Sequence, residues 1–382
     1  MSKKSILIIV LSVVSVLILG AGGVFLFGQF DKPEKAVEQF ETAIKEENAE
    51  LLQELIIPDE KEAVVDMESA KALLDYLKAN NHSYQAIKES LHKQLEKKDY
   101  SETNQQISLV PGEKKGLAKN YKLLVKTASI QISGQHEDDT VIFNIDKSKV
   151  DFKENEDGLY GPFLPGTYSI ILSVKNDLGD FTETKKLDVW GNDIITYIVD
   201  TKNLVKQDEK TKNDIVAAVD TFNYDMSVFD TSEFNLEAFT NLNATAEEMQ
   251  YSQDLVNSVY MEAVDYIDEF HSKYEGAVLN LDDFTINYFD GEWSAEVTSY
   301  VSYERKMKLV DYPGYEDISY EIIWEFKLIY DKDEKRWMIY DFIEDGHDVA
   351  KYKDWEETLK LEGSKEGLKW TRSENSNPSS SI

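Results

Sequence analysis

The longest uninterrupted apolar run lies at the start of the chain. Ile6 to Phe27 are apolar residues broken only by Ser and Gly, and no charged residue occurs between Ser5 and Phe30. A helix of about 20 residues is long enough to cross a hydrocarbon core roughly 30 Å thick. The pattern therefore predicts a short cytoplasmic stub and a transmembrane helix over residues 1–30.

Charge on either side of this run predicts its orientation. Lys3 and Lys4 precede it, whereas all 73 acidic residues follow it. Because positive charge is retained on the cytoplasmic side, we expect a single-pass protein of the cell membrane with a cytoplasmic N-terminus and an extracellular C-terminus. A cleaved signal peptide is the alternative, but its apolar region usually has only about 7–15 residues. The chain contains no Cys, so a lipoprotein anchor is excluded.

Residues 31–104 carry apolar side chains at helical spacing. Pro33 suits a first helical position, and Asn80–Asn81 suits a break between two helices. The apolar positions lie mostly three or four apart: Ala36, Val37, Phe40, Ile44, Leu51, Leu52, Leu55, Ile56, Leu73, Leu74, Leu77, Ile87, Leu91 and Leu95. The pattern predicts a small all-α domain directly after the membrane segment.

Residues 105–200 change to short runs rich in β-branched and apolar residues, which predict strands. Such runs occur at Tyr121–Ile132, Val141–Ile145, Tyr168–Val174 and Lys185–Trp190. Pro165–Gly166 suits a type II turn, in which Gly takes a positive φ. We predict a β-rich, sandwich-like region here, built as one sandwich or as two small β modules in series.

Residues 201–362 combine helical spacing with long alternating runs. Ile215–Phe229 and Leu255–Phe270 predict two helices, the second ended by Gly276. Alternating apolar and polar residues then predict long strands, two of them joined by a charged hairpin at Asp331–Arg336. Helices followed by a meander of strands indicate an α+β domain in which a bent sheet wraps around helices.

Composition limits the classes of partner and chemistry. The 382 residues carry a net charge of −32 and only three Arg (Arg305, Arg336 and Arg372), so nucleic acid is excluded as a partner. The same charge disfavours lying flat on an anionic membrane and keeps an exposed protein soluble. The absence of Cys excludes disulfides, Cys-ligated zinc and thiol nucleophiles. The Ser- and Asn-rich residues 363–382 predict a disordered tail.

The order of these segments resembles a known family. The apolar anchor is followed by KAVEQFETAIKEEN from Lys35, YKLLVK from Tyr121, YGPFLPGTY at Tyr160–Tyr168, and an α+β domain with the hairpin Tyr330–Phe342. This order is similar to that of the TcaA-type membrane-associated proteins of Gram-positive bacteria, named for an association with teicoplanin resistance. The resemblance covers residues 33–345 and implies a C-terminal NTF2-like domain.

The resemblance implies a role in the cell envelope. It suggests a non-enzymatic extracellular protein that binds cell-wall polymer or a surface partner and influences the response to wall-acting antibiotics. Many members carry a cytoplasmic zinc ribbon with paired Cys; here four residues precede the apolar run and Cys is absent, so no ribbon is expected. A sensor subunit acting through the membrane helix is a further hypothesis, although four cytoplasmic residues leave little to transmit a signal.

The alternative is a surface enzyme or small-ligand binder, because NTF2-like domains enclose a cone-shaped cavity that is an active site in some relatives. The residues expected to line it are Tyr224, Asp225, His271, Trp293, Trp324 and Trp337. The other interpretation is that the aromatic residues only fill the core. The five His form no H-x-x-x-H pair, and acidic runs such as Glu137–Asp139 match no calcium loop. We therefore expect no metal, no cofactor and no catalytic residue set.

Overall fold

The computed structural model describes residues 32–112, 120–146, 154–155, 158–345 and 349–372. The predicted transmembrane helix within residues 1–30 lies outside this range. Within it, no helix combines the length and apolar character that crossing a membrane requires.

The chain divides into two compact units. The first comprises the residues up to Gln135, Val141–Val174 and Thr182–Val199, and the second comprises His136–Thr140, Lys175–Phe181 and the residues from Asp200 onward. The predicted domain limits, 31–104, 105–200, 201–362 and 363–382, stay predictions.

The first unit begins with helices whose ends are fixed by local side chains. They are α1 (Pro33–Glu46), α2 (Ala49–Leu55), α3 (Met67–Ala79) and α4 (Asn81–Lys97). Asn48 accepts a hydrogen bond from Leu51 N at the start of α2, and Asp66 and Ser69 form a capping box at the start of α3. The apolar faces of these helices meet in one core, in which the following side chains are at most 1% exposed: Phe40, Leu52, Leu73, Leu77 and Leu91.

A three-stranded sheet completes this core. Its strands are β1 (Ile56–Pro58), β2 (Ile107–Pro111) and β3 (Tyr121–Val125), with β3 in the centre, parallel to β1 and antiparallel to β2. Although the sequence places β2 and β3 in the predicted β-rich region, their inward side chains pack with the helices: Ile107, Leu109, Leu123 and Val125. The helical face would otherwise have remained open to water.

Gln94 joins the last of these helices to the sheet. Its side chain is 5% exposed, and its Oε1 accepts a hydrogen bond from Leu109 N at 2.8 Å. Its Nε2 donates to Leu109 O at 3.1 Å and to Ser101 O at 2.8 Å. A buried amide is favourable here because both of its ends are satisfied by backbone groups.

Six further strands form two three-stranded sheets. They are β4 (Ala128–Ser133), β5 (Thr140–Ile145), β6 (Leu159–Phe163), β7 (Gly166–Asn176), β8 (Gly179–Val189) and β9 (Ile194–Ile198). The sheet orders are β6-β4-β9 and β5-β7-β8. The YGPFLPGTY motif lies where β6 leads into β7, and its large side chains are buried: Tyr160, Phe163, Leu164 and Tyr168.

The expectation of a type II turn at Pro165–Gly166 is wrong. Gly166 is the first residue of β7, and its φ is not in the positive region. A Cβ at this position would lie 2.5 Å from the backbone carbon of Ala72 and 2.6 Å from Leu73 N. Gly is therefore needed because α3 approaches the strand closely.

The second unit packs helices against a seven-stranded, largely antiparallel sheet. Its helices are α5 (Thr201–Gln207), α6 (Glu209–Asp230) and α7 (Ala246–Ala263), with short 3-10 turns at Leu236–Ala238, Val264–Tyr266 and Val349–Asp354. Its strands are β10 (Ile267–Phe289), β11 (Glu292–Leu309), β12 (Tyr315–Asp317), β13 (Tyr320–Asp331), β14 (Arg336–Glu344), β15 (Thr358–Glu362) and β16 (Leu368–Thr371).

The sheet is bent around α6. The main path is β14-β13-β11-β10-β15, with β12 paired to β11 and β16 paired to β10. Register shifts in the β10–β11 pairing, for example between Tyr274 and Gly276, mark bulges that curve the strands. Ile215, Val219 and Phe222 on α6 are fully buried against the sheet. The α+β prediction for this part of the chain is confirmed.

Two boundaries differ from the sequence prediction. The second helix ends at Ala263, and the residues from Ile267 to Phe270 belong to β10, because pairing with β11 and β16 overrides their helical spacing. Gly276 lies within this strand at φ 136° and is no helix cap. Leu368–Thr371 forms β16, where a disordered tail was expected.

Candidate functional site

The residues expected to line a cavity are not gathered around one opening. Trp293 and Trp337 are 1% and 2% exposed and belong to the core of the second unit. Trp324 packs partly buried against that core, while Tyr224 is 43% exposed. The core-filling interpretation therefore describes Trp293 and Trp337 well; whether any of the residues binds a ligand stays a prediction.

The Asp225 carboxylate is buried and accepts hydrogen bonds from protein groups. Its Oδ2 accepts hydrogen bonds from Thr240 N at 2.7 Å and from Thr240 Oγ1 at 2.8 Å. The side chain thus holds the segment after α6 against the helix. In this arrangement the Oδ2 atom of Asp225 is a structural acceptor.

His271 was expected on a helix, but it lies on β10. Its neighbours Phe270 and Ser272 are both buried, so strand alternation directs His271 to the opposite face of the sheet from them. Its Nε2 lies 3.4 Å from Glu269 Oε2, and its ring meets Tyr315 edge-on at 5.2 Å. Hydrogen bonds from Lys369 and Tyr315 lower the pKa of Glu269 to about 2. His271 thus contacts Glu269 and Tyr315, whereas Asp225 contacts Thr240.

The polar group at the centre of the second unit is one that sequence reasoning missed. Asp230, the last residue of α6, has a side chain only 2% exposed. Its Oδ2 lies 2.6 Å from Arg305 Nε and accepts a hydrogen bond from Ser272 Oγ at 2.6 Å. Burial raises the pKa of Asp230 to about 6, even though Arg305 and Ser272 act in the opposite direction.

Aromatic rings enclose the guanidinium of Arg305. Its carbon lies 4.4 Å from the ring centre of Tyr320 and 5.3 Å from that of Tyr303, which is a cation–π arrangement. The hydroxyl of Tyr303 donates to Asn223 O and Oδ1, each at 3.3 Å. These contacts leave the charge buried but compensated.

Another Tyr hydroxyl of the sheet donates a hydrogen bond to α6, at a position nearer the start of the helix. Tyr274 Oη donates to Asp220 Oδ1 at 3.0 Å, and burial raises the pKa of Asp220. We call the whole set between α6 and the sheet the polar seam: Asp220, Asn223, Asp230, Ser272, Tyr274, Tyr303 and Arg305. The signal in the sequence was the placement of Asp220, Asn223 and Asp230 on one helical face, together with one Arg in an otherwise alternating strand.

Several buried polar atoms in the described part of the second unit lack a hydrogen-bond partner, including Asn223 Nδ2 on α6. Ser227 Oγ on α6 and Trp324 Nε1 on β13 make no hydrogen bond to any described residue. Buried polar groups are ordinarily satisfied by protein or by water. At these atoms a water or a small polar ligand would gain a hydrogen bond that the protein leaves unmade.

Each unit has a cleft at its surface. In the second unit, a cleft of about 360 Å³ is bordered by α6 and the β13–β14 hairpin, with lining residues that include Lys210, Asp214, Asn241, Arg336 and Trp337. In the first unit, a larger cleft of about 550 Å³ is lined by Glu68, Lys71, Asp75, Lys78, Asp146, Thr167, Ser169 and Lys186, among others. Both are lined by charged and apolar side chains together, and both are open to solvent-borne ligands.

The acidic run Glu137–Asp139 is used for contacts within the second unit. Asp139 accepts from Thr201 Oγ1 at 2.7 Å and from Asn176 Nδ2 at 3.1 Å. Asp138 accepts from Tyr288 Oη at 3.0 Å and from Lys332 Nζ at 2.9 Å. Over the described parts of the chain, no cluster of three or more His, Asp or Glu side chains is arranged to hold a metal ion.

Two ranges of the described chain match family models. Residues 33–125 match the family model "TcaA protein second domain", and residues 215–343 match the "YvbJ NTF2-like domain". The first match ends where β3 ends, which agrees with the shared core of helices and sheet. The second spans most of α6 and the strands up to β14.

A relative and a solved structure were also found. The "Uncharacterized membrane protein YvbJ" of Bacillus subtilis (strain 168) is 22% identical over 165 residues, which are 43% of this chain and 26% of the relative. The matched part is thus about a quarter of that relative's length. The intermembrane space region of chloroplast protein ARC6 aligns with 36% of this chain and 96% of its own at 10% identity, with a TM-score of 0.24.

The expected architecture of several domains, with a small helical region, β-rich parts and a C-terminal NTF2-like domain, is confirmed by these matches and by the fold. The two matched domains occur in the order that the sequence motifs had indicated. These two matches support a TcaA-type family for this chain, with an NTF2-like domain in its C-terminal part.

Proposed function

We propose that this protein is a non-enzymatic, membrane-anchored protein of the outer cell envelope that binds cell-wall polymer. The anchor is the apolar run of residues 6–27, and the name of the Bacillus subtilis relative as a membrane protein supports that placement. Influence on the response to wall-acting antibiotics follows from the same proposal, since a bound polymer is a target or a barrier for such compounds.

The cleft of the first unit is the observation that carries the proposal. Three Lys and three carboxylates line its 550 Å³, together with the hydroxyls of Thr167 and Ser169. In a chain with 73 acidic and 41 basic residues, this local balance of charge is unusual. A hydroxyl-rich polymer with anionic groups is the kind of ligand that such a surface can hydrogen-bond and pair with.

The test is sedimentation of the full chain in detergent with purified cell walls. We expect Lys71→Glu combined with Lys186→Glu to reduce the bound fraction severalfold, because both reverse the charge that faces an anionic polymer. Lys93→Glu, at an exposed position on α4 outside the cleft, is the matched control and should bind as the wild type does. Equal binding by all three proteins would remove the cleft from the proposal.

A small-ligand or enzymatic role of the NTF2-like domain is the second candidate. It is favoured by the unpartnered Ser227 Oγ and Trp324 Nε1 and by the raised pKa of Asp230. Against it stand the hydrogen bonds and the ion pair that the residues of the polar seam make with one another, because these groups already have partners. A thermal-shift screen of polar metabolites against wild type and Trp324→Phe tests it: a compound that stabilises only the wild type supports this role.

A further inference from the structure

Helix α7 presents an apolar stripe to solvent. Tyr251, Leu255 and Val259 are spaced four residues apart, which places them on one face of the helix. They are 74%, 61% and 65% exposed. A helical apolar stripe in a globular protein normally faces the core. This stripe faces solvent, so it contributes little burial to the stability of the fold.

Contacts on the other face of α7 fix this orientation. Gln253 Oε1 accepts from Leu236 N at 2.7 Å, and Gln253 Nε2 donates to Phe234 O at 3.2 Å. The Tyr260 ring packs against Phe234 with 5.4 Å between centres. The contacts of Gln253 and Tyr260 hold the helix to the preceding loop. Rotation of the helix that turned Leu255 inward would break these contacts.

The surroundings of the stripe are acidic. Residues 231–270 contain nine Asp and Glu residues and no Lys or Arg. Glu248 and Glu262 lie seven residues before and after Leu255, and therefore at the two ends of the same face. The nearby Arg372 donates hydrogen bonds to the carbonyls of Val264 and Ile267, so its guanidinium is already engaged at the end of the helix.

We propose that the outer face of α7, defined by Tyr251, Leu255 and Val259, docks a basic amphipathic helix of a partner protein. Apolar residues of that helix would cover the stripe, and its Lys or Arg residues would lie against Glu248 and Glu262. Charge complementarity selects this occupant. A second copy of the chain would bring the same acidic residues against each other, and an anionic membrane surface would repel them.

The test uses the full chain in nanodiscs of zwitterionic lipid and a fluorescent Leu–Lys peptide that forms an amphipathic helix, with empty nanodiscs as background. We expect saturable binding that weakens as salt is raised. Leu255→Ser combined with Val259→Ser should weaken it by about tenfold or more, because central apolar contacts dominate such interfaces. Phe289→Ser, a change at an 83% exposed apolar residue elsewhere, should leave it unchanged.

Three results would overturn the proposal: no binding above the background, equal binding by the Leu255→Ser/Val259→Ser variant, or equal binding of a peptide with the same composition in scrambled order. Dimerisation that this variant abolishes would assign the face to a second copy, and binding to anionic vesicles that it abolishes would assign it to lipid. Both positions are exposed, so the fold is expected to survive, and circular dichroism of the variant checks this.

Discussion

Asp230 and Arg305 form a buried ion pair with 2.6 Å between Oδ2 and Nε, joining the end of α6 to the middle of the bent sheet. Removing one partner of such a pair leaves an uncompensated charge away from water. We expect Arg305→Met to lower the free energy of unfolding of the second unit by about 3–5 kcal/mol at neutral pH. Urea unfolding followed by Trp fluorescence measures this, since five of the six Trp lie in the second unit.

The double variant Asp230→Leu/Arg305→Met is the control for this first prediction. An apolar pair of similar size removes the desolvation cost together with the attraction, so the double variant should be more stable than Arg305→Met alone. If Arg305→Met unfolds at the same urea concentration as the wild type, the pair contributes nothing to the fold.

The pKa of Asp230 gives the second prediction, a dependence of stability on pH. The folded pKa of about 6 lies above the ordinary Asp value of 3.8, so between these values the folded state binds more protons than the unfolded state. The contribution of Asp230 to stability is therefore present below about pH 4 and is lost as pH rises through 6, by roughly 3 kcal/mol in total.

Asp230→Asn isolates this contribution. Unfolding free energies of wild type and variant should be measured from pH 4 to pH 7, and their difference should change across this interval with the sign given above. Other carboxyls titrate equally in both proteins and cancel. A difference that is constant with pH would show that Asp230 keeps an ordinary pKa.

Gln94 gives a third prediction, in the first unit. Replacement by Leu leaves Leu109 N and O without the amide that satisfies them. We expect a loss of about 1–3 kcal/mol in unfolding free energy. Trp190, the one Trp in the sequence of the first unit, stacks on Tyr76 at 4.2 Å and reports the transition by fluorescence.

The exposed Gln85 on the same helix is the matched control, because its amide donates only to the Asn81 side chain. Gln85→Leu should change stability by less than about 0.5 kcal/mol. Equal losses in the two variants would mean that the bonds to the sheet are not what Gln94 contributes.

Gly166 gives the fourth prediction. A Cβ there would lie within 2.6 Å of backbone atoms of α3, which cannot move aside as a flexible side chain could. Gly166→Ala should therefore destabilise the first unit by about 1–3 kcal/mol. Gly314→Ala, where the nearest atom is 3.8 Å away, should be neutral or slightly stabilising. Thermal unfolding of both variants and of the wild type measures these effects. A lower melting temperature for both variants would point to a general effect of Ala and not to the approach of α3.

The sequence predicted those features of the fold that follow from local periodicity. The helices up to Lys97, the break at Asn80–Asn81 and the long strands of the second unit all appear. Local periodicity does not reveal which distant strands pair. The end of α7 and the strand Leu368–Thr371 were therefore assigned incorrectly. Pairing of β10 with β11 and β16 decides the conformation after α7, and pairing with β10 decides that of Leu368–Thr371.

The candidate site was predicted less well than the fold, for a physical reason. Asp225 and His271 were chosen as residue types that perform acid–base chemistry, but their chemistry depends on what they face. Thr240 donates a hydrogen bond to the Asp225 carboxylate, and strand alternation turns His271 away from α6. The buried pair Asp230 and Arg305 is separated by 75 positions in the chain, and only the folded sheet brings the two together.

The parallel pairing of β1 with β3 sets an order of events during synthesis. Ile56 finds its partner Leu123 only after the intervening residues have been made. The ribosome delivers the chain from its N-terminus, so the helices up to Lys97 emerge with one apolar face still uncovered. Until β3 has been synthesised, that face can bind chaperones or aggregate. A chain truncated after α4 would keep this apolar face exposed.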